Sequence, residues 1–475
     1  MVNKYPWQQG VSLLVLTTVL SGCAAFGPDH TPANLLTPAQ LSLPATQGKM
    51  PEAGWWQQLN DPTLNKLIDT AVARSPSLQQ AQNRLNEAKG ELGLSESHLG
   101  PQVNLSATDD RQLYSANGIF GAEPAFAGHY INDYTLTLNA SWEIDFWGKN
   151  RAQIKAALGE MRAAMLETQQ AQLVLTQAVI GQYTAIQLQQ QQLQINQARI
   201  RLADTRIQLM KARVSAGILS ADTVFQVQTA RAALEAQNAS IKGDIQRSRH
   251  ALAALTGQTP TALDTLTVPD LAPAPEMDGA RLSLDLLGRR PDIASQRAQV
   301  ESMAETVTAA KAAFYPNISI SAFAGVNSLA YGTLFQHASR IADFQPALTL
   351  PIFNSGELRS NLHVQQARYD QAVNSYNQSI LDGLRDAADA MTGEQQAKAQ
   401  LQQANLGYRA STRSADAMTL RLKAGMVNKL DVLDSQDAVL AQRSTELNAV
   451  ANQRLAWAKL NTALGGGELA SPTTR

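Results

Sequence analysis

Residues Ile186 to Leu209 read IQLQQQQLQINQARIRLADTRIQL, and two apolar series run through them. Ile186, Leu193, Ile200 and Ile207 recur every seven residues, and so do Leu188, Ile195, Leu202 and Leu209. At about 100° per residue the second series lies about 200° round from the first, on the opposite face of one helix. A helix in a simple bundle carries a single apolar stripe. Two opposed stripes predict a packed neighbour on each side, as in a wall of helices. Between them sit Gln187, Gln189 to Gln192, Gln194 and Asn196, which are expected to face water. On the partner helix Val227, Leu234, Ile241 and Leu255 form another seven-residue series, interrupted by Ser248. A long dimeric coiled coil is the plainer alternative, but it leaves the second stripe wet.

Proline positions set how far such helices extend. None lies between Pro124 and Pro260, nor between Pro351 and Pro472, so neither stretch contains a residue that forbids continuous helix. The spacing predicts a helix from Gly148 to about Arg213, a partner from about Ser220 to Thr256, and a third from Pro76 to Leu99. These would span about 97, 55 and 35 Å, so the two shorter ones laid end to end match the long one. The second half repeats the plan with helices over 357–421, 428–464 and 291–314.

The halves also correspond residue by residue. Ser75-Pro76-Ser77-Leu78 matches Arg290-Pro291-Asp292-Ile293, and Pro101, Val103 and Leu105 match Pro316, Ile318 and Ile320. Farther on, Gly148, Arg151, Gly217 and Gly257 match Gly356, Arg359, Gly425 and Gly465 at a slightly shorter offset. Two copies of one supersecondary unit are expected, over 64–280 and 281–466. Ahead of them lies an extended segment, 23–63, punctuated by Pro28, Pro32, Pro38, Pro44 and Pro51; a short tail, 467–475, follows.

Each copy reads helix, strand, strand, long helix, shorter helix. Tyr134, Leu136, Leu138, Ala140, Trp142 and Ile144 alternate with Thr135, Thr137, Asn139, Ser141, Glu143 and Asp145. Ile318, Ile320, Ala322, Ala324 and Val326 alternate likewise, and Phe344, Leu348, Leu350 and Ile352 form a further set interrupted by Pro346. Such runs suit tilted strands crossing a bilayer, although a soluble sheet has the same period. Four strands cannot close a membrane barrel, since the smallest use eight, so several chains would have to share one. The loops near 114–130, with Asn117-Gly118 and Gly121, and near 329–340 read as surface turns on the exterior side.

Composition narrows the function. Lys plus Arg number 39 against 40 Asp plus Glu, which argues against nucleic acid as a partner. The six histidines are scattered, and neither a nucleophile elbow nor a phosphate-binding loop occurs, so no catalytic residue, metal or cofactor is expected. The chain has one cysteine, Cys23. It follows Lys4 and the apolar run Val11 to Leu20, so residues 1–22 read as a signal peptide. Leu20-Ser21-Gly22-Cys23 resembles the bacterial lipoprotein cleavage box, which implies cleavage before Cys23 and its lipidation, with palmitate among the acyl chains. Ala24 at the next position implies sorting to the outer membrane.

With that leader, the duplicated order, Ser141-Trp142-Glu143-Ile144-Asp145-Phe146-Trp147-Gly148 and Phe314-Tyr315-Pro316 resemble the outer membrane factors of bacterial efflux systems, the TolC and NodT-type channel lipoproteins. The Ser115-Ala116-Asn117-Gly118 loop resembles their multidrug branch. The resemblance implies a mainly α fold with a membrane β-barrel portion. Three chains would share a twelve-stranded barrel, four strands each, and an α-barrel in the periplasm. It further implies a passive exit duct for small toxic compounds in the Gram-negative outer membrane, served by a periplasmic adaptor protein and an inner membrane pump. A type I secretion channel for proteins and a non-channel periplasmic coiled-coil lipoprotein are the alternatives.

Specific residues follow. Arg213 to Gly217 and Arg421 to Gly425 are equivalent helix-ending turns, where glycine supplies the left-handed conformation. The resemblance makes them the tip that meets the adaptor, with Gly217, Ile218, Leu219, Gly425, Met426 and Val427 in contact. Asp431 and Asp434 share a helix face. By the same resemblance they ring the periplasmic entrance, although N-terminal acids also suit the helix dipole. Arg413, Asp416 and Arg421 are the candidates for holding the tip closed.

Overall fold

The computed structural model describes residues 30–36, 40, 51–277 and 288–467. Cys23 and the leader lie outside them. Eleven principal elements follow in order: α1 (Pro62–Arg74), α2 (Pro76–Ser97), β1 (Gln102–Leu113), β2 (Tyr130–Ile144), α3 (Lys149–Ser215), α4 (Ala221–Leu255), α5 (Pro291–Ala312), β3 (Asn317–Ser328), β4 (Arg340–Thr349), α6 (Glu357–Lys423) and α7 (Lys429–Ala463). The duplication is plain in their lengths. Both α3 and α6 have 67 residues, and both α4 and α7 have 35. At 1.5 Å per residue each long helix runs about 100 Å. Among the described residues no helix is long and apolar enough to cross a membrane.

The chain divides into two compact units, and α2, α3, α5 and α6 contribute to both. Of the described residues, the first unit takes 30–35, Asn86–Ala163 and Gln296–Tyr376. Its centre is one antiparallel sheet in the order β1-β2-β3-β4. Register puts Leu105 beside Leu138, Leu138 beside Ala324, and Ala324 beside Ala342. The same face carries Leu136, Ala140, Trp142, Ile144, Ile318, Ile320, Phe344 and Leu348. Polar residues such as Asn104, Thr137, Ser141, Ser321 and Gln345 take the other face, where Asn327 donates to the Thr135 hydroxyl at 2.7 Å. β4 departs from expectation. It begins at Arg340 and ends at Thr349, so Leu350 and Ile352 lie beyond it, and Ile352 is fully exposed next to Pro351.

The strands join their helices through a polar and aromatic collar. The Asp145 carboxylate accepts from the amides of Asn150 and Arg151 at 3.0 Å, satisfying two orphan donors at the start of α3. Burial there opposes ionisation. The amide bonds and the Arg151 guanidinium outweigh it and hold the carboxyl below its ordinary value. Trp142 Nε1 donates to the Leu99 carbonyl and Trp147 Nε1 to the Pro316 carbonyl, both at 2.8 Å. Trp147 stacks on Tyr315 with centroids 4.7 Å apart.

The second unit takes the described residues within 36–85, 164–295 and 377–467. Its main apolar core lies where the segment from Trp55 through α1 packs on α3, α4 and α7, through Trp55, Leu64, Ile68, Ile180, Tyr183, Leu252 and Trp457. Helix α1 was not separately expected. Asp61 starts it by accepting from Thr63 N and Leu64 N, with Pro62 at the first helical position. The first apolar stripe of α3 is the better buried: Ile186, Ile200 and Ile207 are within the core, and Leu193 is half-buried. Leu188, Ile195, Leu202 and Leu209 are all half-buried. Leu188 packs against Leu271, Val450 and Ala451.

The water-facing assignment between the stripes is corrected at three positions. Gln187, Gln191 and Asn196 are buried. Gln187 Nε2 donates to the Pro269 carbonyl at 3.1 Å and Asn196 Nδ2 to the Leu234 carbonyl at 2.8 Å. A crossing segment and a packed neighbour thus cover this face, and the amide side chains supply the polar partners that buried carbonyls need.

Candidate functional site

In the second unit the candidate site is built on the two ends where paired helices turn. Gly217 and Gly425 both adopt left-handed φ, +72° and +73°. At the first turn Gly217 N donates to the Val214 carbonyl and Ile218 N to the Arg213 carbonyl. At the second, Gly425 N donates to Leu422 and Met426 N to Arg421. This double bond pattern closes a helix around a glycine and satisfies its last carbonyls. It leaves apolar side chains outside: Ile218 is 69% exposed and Met426 75%, while Leu219 and Val427 are half-buried.

Asp431 takes part in a cap. Asn428 Oδ1 accepts from Leu430 N and Asp431 N, and the Asp431 carboxylate accepts from Asn428 N at 2.9 Å. One turn on, exposed Asp434 is ion-paired with Arg206 of α3. Next to it Arg199 of α3 makes a two-pronged contact with Asp437 at 2.8 and 3.0 Å. Those bonds raise the Arg199 pKa above its ordinary value, against the pull of burial. On the other side of α3, Asp204 is bonded to Arg231 of α4 at 2.5 Å, and Arg231 also meets Glu235 at 3.3 Å. Among the described residues, helix α3 is therefore tied to α4 by one ion pair and to α7 by two.

Arg413, Asp416 and Arg421 are all exposed on α6. Asp416 lines a groove of about 480 Å³ with Arg201, Leu202, Thr205, Thr419 and Val439, on α3, α6 and α7. The structure brings neither Arg413 nor Arg421 into that groove. Arg199, Arg206 and Asp437, and on the α4 side Asp204, Arg231 and Glu235, are charged residues that sequence reading missed. The seven-residue spacing of Arg199 and Arg206 was the available signal, but the carboxylates facing them belong to the other half of the chain.

A charged cluster also lies in the core of this unit. Tyr183 donates its hydroxyl to Asp61 Oδ2 at 2.8 Å, and the Arg454 guanidinium lies 6.0 Å from the Tyr183 ring centroid. Burial pulls the Arg454 pKa down, while the charge of Asp61 resists that.

Comparison with known proteins accords with this geometry. The family model for outer membrane efflux proteins matches residues 67–258 and 282–466. The chain is 32% identical over 478 aligned residues to the multidrug resistance outer membrane protein MdtP of Escherichia coli K12, covering 97% of this chain and 96% of that one. It is 30% identical to the multidrug resistance outer membrane protein MdtQ of Escherichia coli O6:H1, covering 98% and 99%. Among solved structures, the outer membrane protein VceC of Vibrio cholerae superposes with a TM-score of 0.76 at 30% identity, covering 88% of this chain and 99% of that one. The one-sided apolar sheet, the duplicated helical plan and these matches agree, and the chain belongs to the outer membrane efflux protein family.

Proposed function

We propose that three copies of this chain assemble into the passive exit duct of a tripartite efflux machine. The sheet carries the reading. One face is apolar over most of its length, and among the described residues β1 and β4 each leave an edge without a partner. Exposed edges of that kind are a hazard unless paired. Pairing β1 of one copy with β4 of the next closes a barrel whose apolar face meets lipid, and twelve strands exceed the minimum of eight.

The remaining parts follow from family membership. An inner membrane pump supplies the energy, and a periplasmic adaptor docks on the turns at Gly217, Ile218, Leu219, Gly425, Met426 and Val427. The exposed Ile218 and Met426 support that contact. Asp431 and Asp434, repeated three times, give the entrance a negative field that favours cations. Arg413, Asp416 and Arg421 hold the tip closed, and lipid on Cys23 anchors the mature amino terminus. The two relatives named as multidrug resistance proteins support small toxic compounds as the cargo. Reconstitution of the purified protein into a planar bilayer tests the duct. Unitary current steps are expected, and a bilayer that stays silent at saturating protein would refute it.

A further inference from the structure

The apolar face of the sheet is not uniform. Near the start of β4 it holds an open groove of about 580 Å³, lined by Leu105, Leu136, Leu138, Val326, Phe335 and Arg340. Phe335 belongs to the loop between β3 and β4 and is 73% exposed. Arg340 pairs across the ladder with Val326, so the register places it on the apolar face. Its side chain is exposed, and among the described residues no hydrogen bond or ion pair engages its guanidinium. A cation on the lipid-facing side of a barrel costs about 2–4 kcal/mol at mid-bilayer and little at the interface. The aromatic pair Tyr134 and Tyr331, with centroids 5.9 Å apart, marks that interfacial level, because such rings collect where headgroups begin.

We infer that this groove holds a bilayer lipid with an anionic phosphate headgroup, its acyl chain along Leu105, Leu136 and Leu138 and its phosphate on the Arg340 guanidinium. The inference rests on the barrel reading above, which turns this face towards lipid. A groove of that volume accepts a stretch of acyl chain. The guanidinium's charge favours a headgroup with net negative charge, because in a zwitterionic headgroup the choline cation offsets the phosphate.

Native mass spectrometry of the protein in mild detergent tests it, with phosphatidylglycerol, phosphatidylcholine and inorganic phosphate added separately and in competition. One interfacial cation gives about a fivefold preference for the anionic lipid. Arg340→Gln should abolish that preference and leave phosphatidylcholine retention unchanged, while Arg340→Lys, which keeps the charge, should preserve it. Inorganic phosphate should not displace the lipid. Equal retention of both lipids by the unaltered protein, a preference that survives in Arg340→Gln, or displacement by inorganic phosphate would each overturn the inference. Bilayer currents from the same preparations separate the two readings: a protein that conducts without lipid preference overturns this site alone.

Discussion

Asp434 of α7 is ion-paired with Arg206 of α3, across the two halves of the duplicated chain. A carboxylate in a pore ring contributes its full field only when no cation neutralises it. In the proposed entrance ring Asp431 and Asp434 are therefore unequal, and Arg206 sets the difference. Arg206→Gln should release the Asp434 charge and raise the permeability ratio of potassium over chloride. The reversal potential across a salt gradient reads this directly; an unchanged potential would leave Arg206 without a part in selectivity.

The proposed pore role of Asp431 has to be separated from a structural one, because its carboxylate closes the capping box with Asn428. Asp431→Asn removes the charge and keeps an acceptor for the Asn428 amide, whereas Asp431→Ala loses both. The alanine form should be about 0.5–1.5 kcal/mol less stable than the asparagine form, the net worth of one hydrogen bond. Combined with the corresponding change at Asp434, either form should raise single-channel conductance and weaken block by trivalent cations. Currents that keep the original block would remove both residues from the entrance.

Acidity gives a third expectation, in the first unit. Partial desolvation, and then the neighbouring Glu91, push the carboxyl of the still exposed Glu160 above its ordinary value of 4.5, and the Ser302 hydroxyl only partly offsets them. A raised carboxyl binds its proton more tightly in the folded state. Its cost is absent below the unfolded pKa and appears as pH rises through the folded one. Glu160→Gln should therefore raise the thermal midpoint at about pH 7.5 and leave it unchanged at about pH 4. Equal gains at both values would show that desolvation of charge is not the cause.

In the second unit, removing Asp61 should cost more than removing the bond it accepts. Tyr183→Phe loses one buried hydrogen bond to a carboxylate, about 1.5–3 kcal/mol. Asp61→Ala also uncaps α1 and leaves the Arg454 cation buried beside no carboxylate, so about 3–5 kcal/mol is expected. Thermal unfolding of the two variants in detergent decides it, and equal losses would mean that Arg454 does not depend on Asp61.

The readability of the sequence follows the range of each interaction. Proline and glycine act locally, so the ends of α3, α4, α6 and α7 were legible to within two residues, and the left-handed Gly217 and Gly425 were placed correctly. The alternation in β2 and β3 was equally plain. What depends on distant chain was hidden. Gln187 has the composition of a wet surface, yet the segment at Pro269 covers it. Asp434 reads as a free acid until Arg206 is brought to it from more than two hundred residues away. β4 misled for another reason: Leu350 and Ile352 keep the alternating pattern past Thr349, but Pro351 lies between them and lacks an amide to donate to the ladder.

The central claim is that identical chains close the barrel that one chain leaves open at β1 and β4. The protein mass of the detergent-solubilised particle tests it most directly, with detergent and lipid subtracted. Three chains per particle is the expected result. A homogeneous particle of one chain would contradict the account, since four strands leave the sheet open to the bilayer.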